Sequence, residues 1–111
     1  MGYDAATGLL ECGDAVTALF VGGDMGALGA MRAIRALGLR VPEDVSVVGF
    51  NDEEIAEIAE PPLTTVRVPT EDAGMRCVEM LNSIIKGRQT DAESVVLPVE
   101  LIRRQSAAKA Q

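Results

Sequence analysis

The residues best placed to do chemistry in this chain are Asp24, Asn51 and Asp52, and what they offer is hydrogen bonding rather than bond making. Each follows a short apolar run: Ala18-Leu19-Phe20-Val21 precedes Asp24, and Val45 to Phe50 precedes Asn51-Asp52. Ligands of open parallel sheets sit beyond the carboxyl ends of strands. If the two runs are neighbouring strands, their polar groups converge on one crevice, with Phe50 lining it. Carboxylates and amides there suit hydroxyl-rich ligands, because each offers oriented donors or acceptors. Asp24 and Asp52 serve equally well as helix caps, and the spacing leaves both readings open. The chain has no histidine, which removes every Ser-His or Cys-His nucleophile and the commonest transition-metal ligand. A small α/β enzyme using Asp24 and Asp52 as acid and base is the remaining catalytic alternative. It lacks a nucleophile with an activating partner, so the expectation is no catalytic residue, no metal and no cofactor.

Other stretches invite chemistry and lose it on inspection. Gly22-Gly23-Asp24-Met25-Gly26-Ala27-Leu28-Gly29 follows a strand and opens a helix, the setting of a phosphate loop. Its spacing fits neither a dinucleotide fingerprint nor a Walker loop, and an acidic side chain at the helix mouth repels phosphate. Tight turning and close packing explain these glycines better. Asp52-Glu53-Glu54, Glu57 and Glu60 scatter around a helical turn instead of converging on a cation, as a solvated face does. Thr64-Thr65 can bond a ligand through hydroxyls but more simply favours a strand. Cys12 and Cys77 stand far apart in no ligand spacing, so both are expected to be buried free thiols.

The elements that must position these residues can be read in order. Asp4 to Glu11 is the end of a helix, with Ala5, Ala6, Leu9 and Leu10 on one face. Ala18 to Val21 reads as a strand buried on both faces. A helix follows, with Asp24 as its N-cap and an apolar stripe of Ala27, Leu28, Ala30, Met31, Ile34 and Leu37. Gly38 sits at its left-handed stop, with Pro42 beyond. Val45 to Phe50 is a second buried strand. An acidic turn through Ile55, Ile58 and Ala59 ends at Pro61-Pro62, and Leu63 to Val68 is a third strand. A helix over Thr70 to Lys86 carries Glu71 and Asp72 at its positive end, an inward face of Ala73, Cys77, Met80 or Leu81, and Ile84, and Gly87 as its stop. After a polar linker over Arg88 to Glu93 come late strands at Val95 to Leu97 and Val99 to Ile102, then a small-residue tail from Ser106, expected to fray. Strands alternating with helices predict an α/β fold with a parallel, doubly wound sheet.

Bulk properties narrow the partners. With 111 residues the chain suits one small α/β domain or a piece of a larger one. Only 3% of residues are aromatic, so aliphatic side chains and Met must build the core. No apolar run approaches the roughly 20 residues of a membrane span, and the start lacks a signal-peptide layout. A net charge of −7 repels phosphate backbones, so this chain by itself is expected to bind no nucleic acid strongly.

Four segments in order resemble one family. They are Ala18-Leu19-Phe20-Val21 with Gly23-Asp24 and Ala27-Leu28-Gly29-Ala30; Gly38 through Val41-Pro42-Glu43-Asp44-Val45-Ser46 to Gly49-Phe50-Asn51-Asp52; Pro61-Pro62-Leu63-Thr64-Thr65-Val66; and Val96-Leu97-Pro98 with Glu100-Leu101 and Arg103-Arg104-Gln105-Ser106. Together they are similar to the sensor domain of LacI/GalR transcriptional repressors, whose fold is that of type I periplasmic binding proteins. Free thiols point to the cytoplasm, and the resemblance implies a non-enzymatic regulator that forms a homodimer or higher oligomer. Its small effector, a sugar or other metabolite, binds between two lobes and alters DNA affinity through an N-terminal domain that this chain does not contain. It implies effector contacts at Asp24, Phe50 and Asn51, and a dimer face at Leu28, Met31, Ile55 and Ala59. Residues 1–61 and 94–105 would form part of the C-terminal lobe, and residues 62–88, including the third strand, would belong with the N-terminal lobe. Two departures touch the site: Gly23 stands where the family has an Asn, and Asn51 where many members have Asp. An amide still donates and accepts. A periplasmic-type solute-binding protein of the same fold is the alternative. The Pro-Glu-Asp-Val-Ser segment and its Gly-Phe-Asn-Asp ending favour the repressor.

Overall fold

A computed structural model describes residues 1–88 and 94–110. The expected linker therefore lies, from residue 89 to 93, outside the described residues. The elements run α1 (Gly2–Glu11), β1 (Ala18–Phe20), α2 (Asp24–Ala36), β2 (Ser46–Asn51), α3 (Glu54–Ile58), β3 (Thr64–Arg67), α4 (Thr70–Ile85) and β4 (Glu100–Ile102). They fall into two compact units, residues 1–67 with 100 onward, and residues 68–99.

In the first unit the strands lie side by side in the order β1-β2-β3-β4. β1, β2 and β3 are parallel, with Phe20 beside Val48 and Phe50 beside Val66. The α/β class and the parallel sheet hold, while β4 runs antiparallel to β3, placing Glu100 opposite Arg67. The core lies between the sheet and α2: Ala27, Met31 and Ile34 pack with Val41, Val45, Val47, Ala56 and Leu63. Fully burying a side chain such as Ile34 or Leu63 stabilises by about 1.5–3 kcal/mol. Gly38 adopts φ +77 and ends α2 as expected; its N–H donates to the Arg35 carbonyl and that of Leu39 to Ile34, closing the last turn. Beside α2, α1 approaches closely enough that a Cβ on Gly2 would strike the Gly26 carbonyl. Small residues (Ala6, Ala30, Ala33) form that seam.

Several expectations are corrected. β1 is not buried on both faces: it is an edge strand, and Phe20 is 68% exposed. Val95 to Leu97 is not a strand: Val96 is exposed and residues 94–99 pair with no strand among the described residues, and β-propensity acts through such pairing. The tail from Ser106 does not fray at its start. Ser106 is fully buried across the starts of β2 and β3: its Oγ donates to the Val47 carbonyl at 2.6 Å and accepts from the Thr64 N–H at 2.8 Å. Ala108 N–H then reaches Ser46 Oγ at 3.0 Å. The third strand does not part from the sheet at residue 62. β3 is hydrogen-bonded to β2 over Thr64–Arg67, and the units divide after Arg67.

In the second unit, α4 starts at Thr70 as expected, but Pro69 is its N-cap, and Gly87 at φ +68 closes it. None of its residues is fully buried: of the expected inward face, Ala73 and Met80 are partly buried, and Cys77, Leu81 and Ile84 are exposed. Both thiols are free and exposed, against the expectation of burial: Cys12 caps the end of α1, and Cys77 shares the exposure of α4.

Candidate functional site

The carboxyl edge of β1 to β3 gathers the polar residues. β1 and β2 are adjacent and parallel, so Asp24 and Asn51 do lie at the same sheet edge. Their roles divide there. Asp24 is not the N-cap of α2; Gly23 is, in extended backbone, and the Asp24 side chain makes no capping bond. Its carboxylate points inward, fully buried, and both oxygens are occupied. Thr65 Oγ1 donates to Oδ1 at 2.6 Å, and the Glu53 N–H donates to Oδ2 at 2.7 Å. Gly49 makes the room: a Cβ on it would collide with Asp24 Oδ1 and come within 2.8 Å of Leu63 Cδ2. A carboxylate enclosed in this way has no surface to offer a ligand, which argues against the direct contact read from the sequence.

Asn51 and Asp52 both have positive φ, 110 and 59, in a region where Asn and Asp are the best tolerated non-glycine residues. Such backbone costs on the order of 1–3 kcal/mol per residue and persists only where the surroundings enforce it. The enforcement is visible. Asp52 turns back beneath the strand ends, its side chain only 6% exposed, between two guanidinium groups. Arg67 Nε donates to Oδ2 at 2.7 Å. Arg104 Nη2 lies 2.7 Å from Oδ1, as an ion pair outside good hydrogen-bond geometry. Arg104 also donates from Nη1 to the Leu63 carbonyl at 2.9 Å, and its backbone N–H donates to Thr64 Oγ1 at 2.9 Å. Burial pushes the Asp52 carboxyl up, but the guanidinium groups of Arg104 and Arg67 outweigh that and hold it below the usual carboxylate range. The hydrogen bond and charge of Asp52 in turn raise Arg67.

What remains presented is Asn51. It is half-exposed, and its amide makes one long bond, from Nδ2 to Glu53 Oε1 at 3.4 Å. Phe50 stands on the opposite sheet face, edge-on to Phe20 with centroids 6.3 Å apart. The edge therefore offers an amide and an aromatic pair on a stiff base, which suits hydrogen bonding to a neutral polar ligand. A concavity of about 350 Å³ in the same unit lies along Val48, Thr64, Leu101 and the tail, and none of these strand-end residues lines it. Among the described residues no His, Cys, Asp or Glu cluster could hold a metal ion.

At the expected dimer face, Leu28 and Ile55 are partly exposed, but Met31 and Ala59 are core residues, 3% and 8% exposed. They reach the surface only as lining of a shallow groove of about 120 Å³ with Leu28, Arg32, Arg35 and Glu60. Sequence reasoning missed Arg67, Arg104 and Ser106. The available signal was a pair of cations, Arg103-Arg104, set against Asp52 in a strongly acidic chain; nothing local announced Ser106.

Comparison with known proteins bears on what this edge does. Residues 2–107 match the family described as periplasmic binding protein-like domain. The chain is similar to the HTH-type transcriptional regulator CelR of Thermobifida fusca, 43% identical over 105 residues, covering 95% of this chain and 31% of that protein. It is 40% identical to a lactose operon repressor of Rhizobium radiobacter, covering 97% of this chain and 95% of that protein. A solved transcriptional regulator CelR-cellobiose complex superposes with a TM-score of 0.91 at 42% identity, over 96% of this chain and 32% of the other. The chain thus spans about a third of the length of the first curated relatives it matches.

Proposed function

Since the chain belongs to the periplasmic binding protein-like domain family, among the LacI/GalR-type regulators, we propose that it is part of the effector-binding and dimerisation domain of a LacI-type transcriptional repressor. The effector is a small neutral metabolite, a sugar above all. The observation that carries this reading is the Asn51 amide, half-exposed at the carboxyl edge of the sheet on a turn held by the buried Asp52–Arg104 ion pair. Phe50, paired edge-on with Phe20, adds apolar surface at the same strand end on the other sheet face. Cellobiose in the CelR complex is the chemistry such an edge suits. Asp24 supports the site from below.

On this reading the protein is cytoplasmic, in keeping with the absence, among the described residues, of any helix long and apolar enough to cross a membrane. Helix α4 packs with the N-terminal lobe of the parent protein. Effector binding shifts the balance between two lobe arrangements, and DNA is reached through a domain outside this chain. Two copies associate through the groove at Leu28 and Arg32, with Ile55 beside it. The test is calorimetry of the longer regulator carrying this segment, with cellobiose and other neutral disaccharides, then nucleobases. Asn51→Ala should weaken the best ligand about tenfold, the loss of roughly one hydrogen bond to a buried partner. Equal binding by wild type and Asn51→Ala, or no ligand in either class, refutes the reading.

A further inference from the structure

We infer that Asp24 is a positioning residue and not an effector contact: its buried carboxylate fixes the Asn51–Asp52 turn and so determines how the Asn51 amide is presented. The inference deepens the reading of Asn51 as an effector contact and rests on it. Four observations lead there. Asp24 has no exposed surface, and each oxygen has a partner, so nothing is left for a ligand. It does not cap its own helix, which removes the ordinary reason for Asp at that place. Its Oδ2 partner, the Glu53 N–H, is the first backbone donor after two consecutive positive-φ residues. Glu53 is also the N-cap of α3 and has no side-chain cap of its own, so Asp24 anchors the turn at its exit. Finally, Gly49 leaves an opening in β2 for this side chain, and Thr65 on β3 grips the other oxygen. One carboxylate thus ties the start of α2, the strand-end turn and β3 together.

The test uses the 111-residue chain without any effector, so its failure is separable from failure of the effector reading. The φ angles of Asn51 and Asp52 are read from three-bond HN–Hα couplings and Cβ shifts in wild type, Asp24→Asn, Asp24→Ala and Thr65→Val. Asn keeps an acceptor for Glu53 and gains a donor for Thr65, so Asp24→Asn should retain the wild-type couplings. Thr65→Val breaks only the grip on β3; it should lower the denaturation midpoint yet leave both couplings in place. Asp24→Ala should lose the left-handed signature at Asn51 and Asp52. Exchange of the Glu53 amide should also rise there by roughly tenfold to a hundredfold, as expected for one lost charged hydrogen bond. A folded Asp24→Ala protein with wild-type couplings overturns the assignment. If Asp24→Ala fails to fold, Glu53 exchange in wild type and Thr65→Val decides. Protection in both supports the assignment, and exchange as fast as a free loop amide in either one overturns it.

Discussion

Arg67 and Arg104 hold the same carboxylate at the same distance, yet their surroundings differ. The Arg67 side chain is 51% exposed and that of Arg104 only 12%. Water screens the first pair, so Arg67→Ala should cost under about 1 kcal/mol. Removing Arg104 takes away the better shielded of the two partners and leaves the Leu63 carbonyl without its donor, so Arg104→Ala should cost more, roughly 1–3 kcal/mol. Urea midpoints of the two variants check the contrast, and equal losses would contradict it. Acid should act through the same carboxylate. The Asp52 pKa is lower in the folded chain than in the unfolded one. Its contribution is therefore complete above the ordinary Asp value, near 3.9, and is lost as pH falls through the folded value. Asp52→Asn should destabilise at neutral pH, with the gap to wild type closing in acid; a gap that does not depend on pH would point to packing alone. Gly49→Ala belongs to the same scale. Its methyl group would meet Asp24 and Leu63, costing about 1–3 kcal/mol by overpacking.

At the scale of elements, the sequence was legible wherever a signal was local. Gly38 and Gly87 closed their helices as read, because a left-handed stop is a property of one residue and its neighbours. Asn51 and Asp24 were correctly put at one sheet edge, because parallel strands bring their carboxyl ends to the same edge. What failed depended on partners distant in the chain. Asp24 reads as a cap until Thr65, on β3, is known to lie against it. Ser106 resembles any tail serine, although it bridges Val47 and Thr64. Ser106→Ala should leave the Thr64 N–H buried without an acceptor and cost about 1–3 kcal/mol, measurable by thermal or urea unfolding. The misread strand at Val95 to Leu97 shows the converse, since β-prone residues without a neighbouring strand stay irregular.

For the whole molecule, the two units should differ in how firmly they are held. α4 has no fully buried residue, and an isolated helix of its length is marginal in water. β2 lies between two strands and carries core residues. Hydrogen exchange of the chain alone should therefore be fast along α4 and slow along β2; matched protection would show that α4 is buried by another copy. The Ser106 bridge has a temporal consequence as well. The residues it joins are 42 and 59 positions apart, so the contact closes only after a long stretch of chain has been ordered, and the entropy of that closure opposes its early formation. It acts as a latch set late, after β2 and β3 have paired. Loosening it should leave refolding rates nearly unchanged and quicken unfolding, shortening the lifetime of the native state more than it slows its arrival.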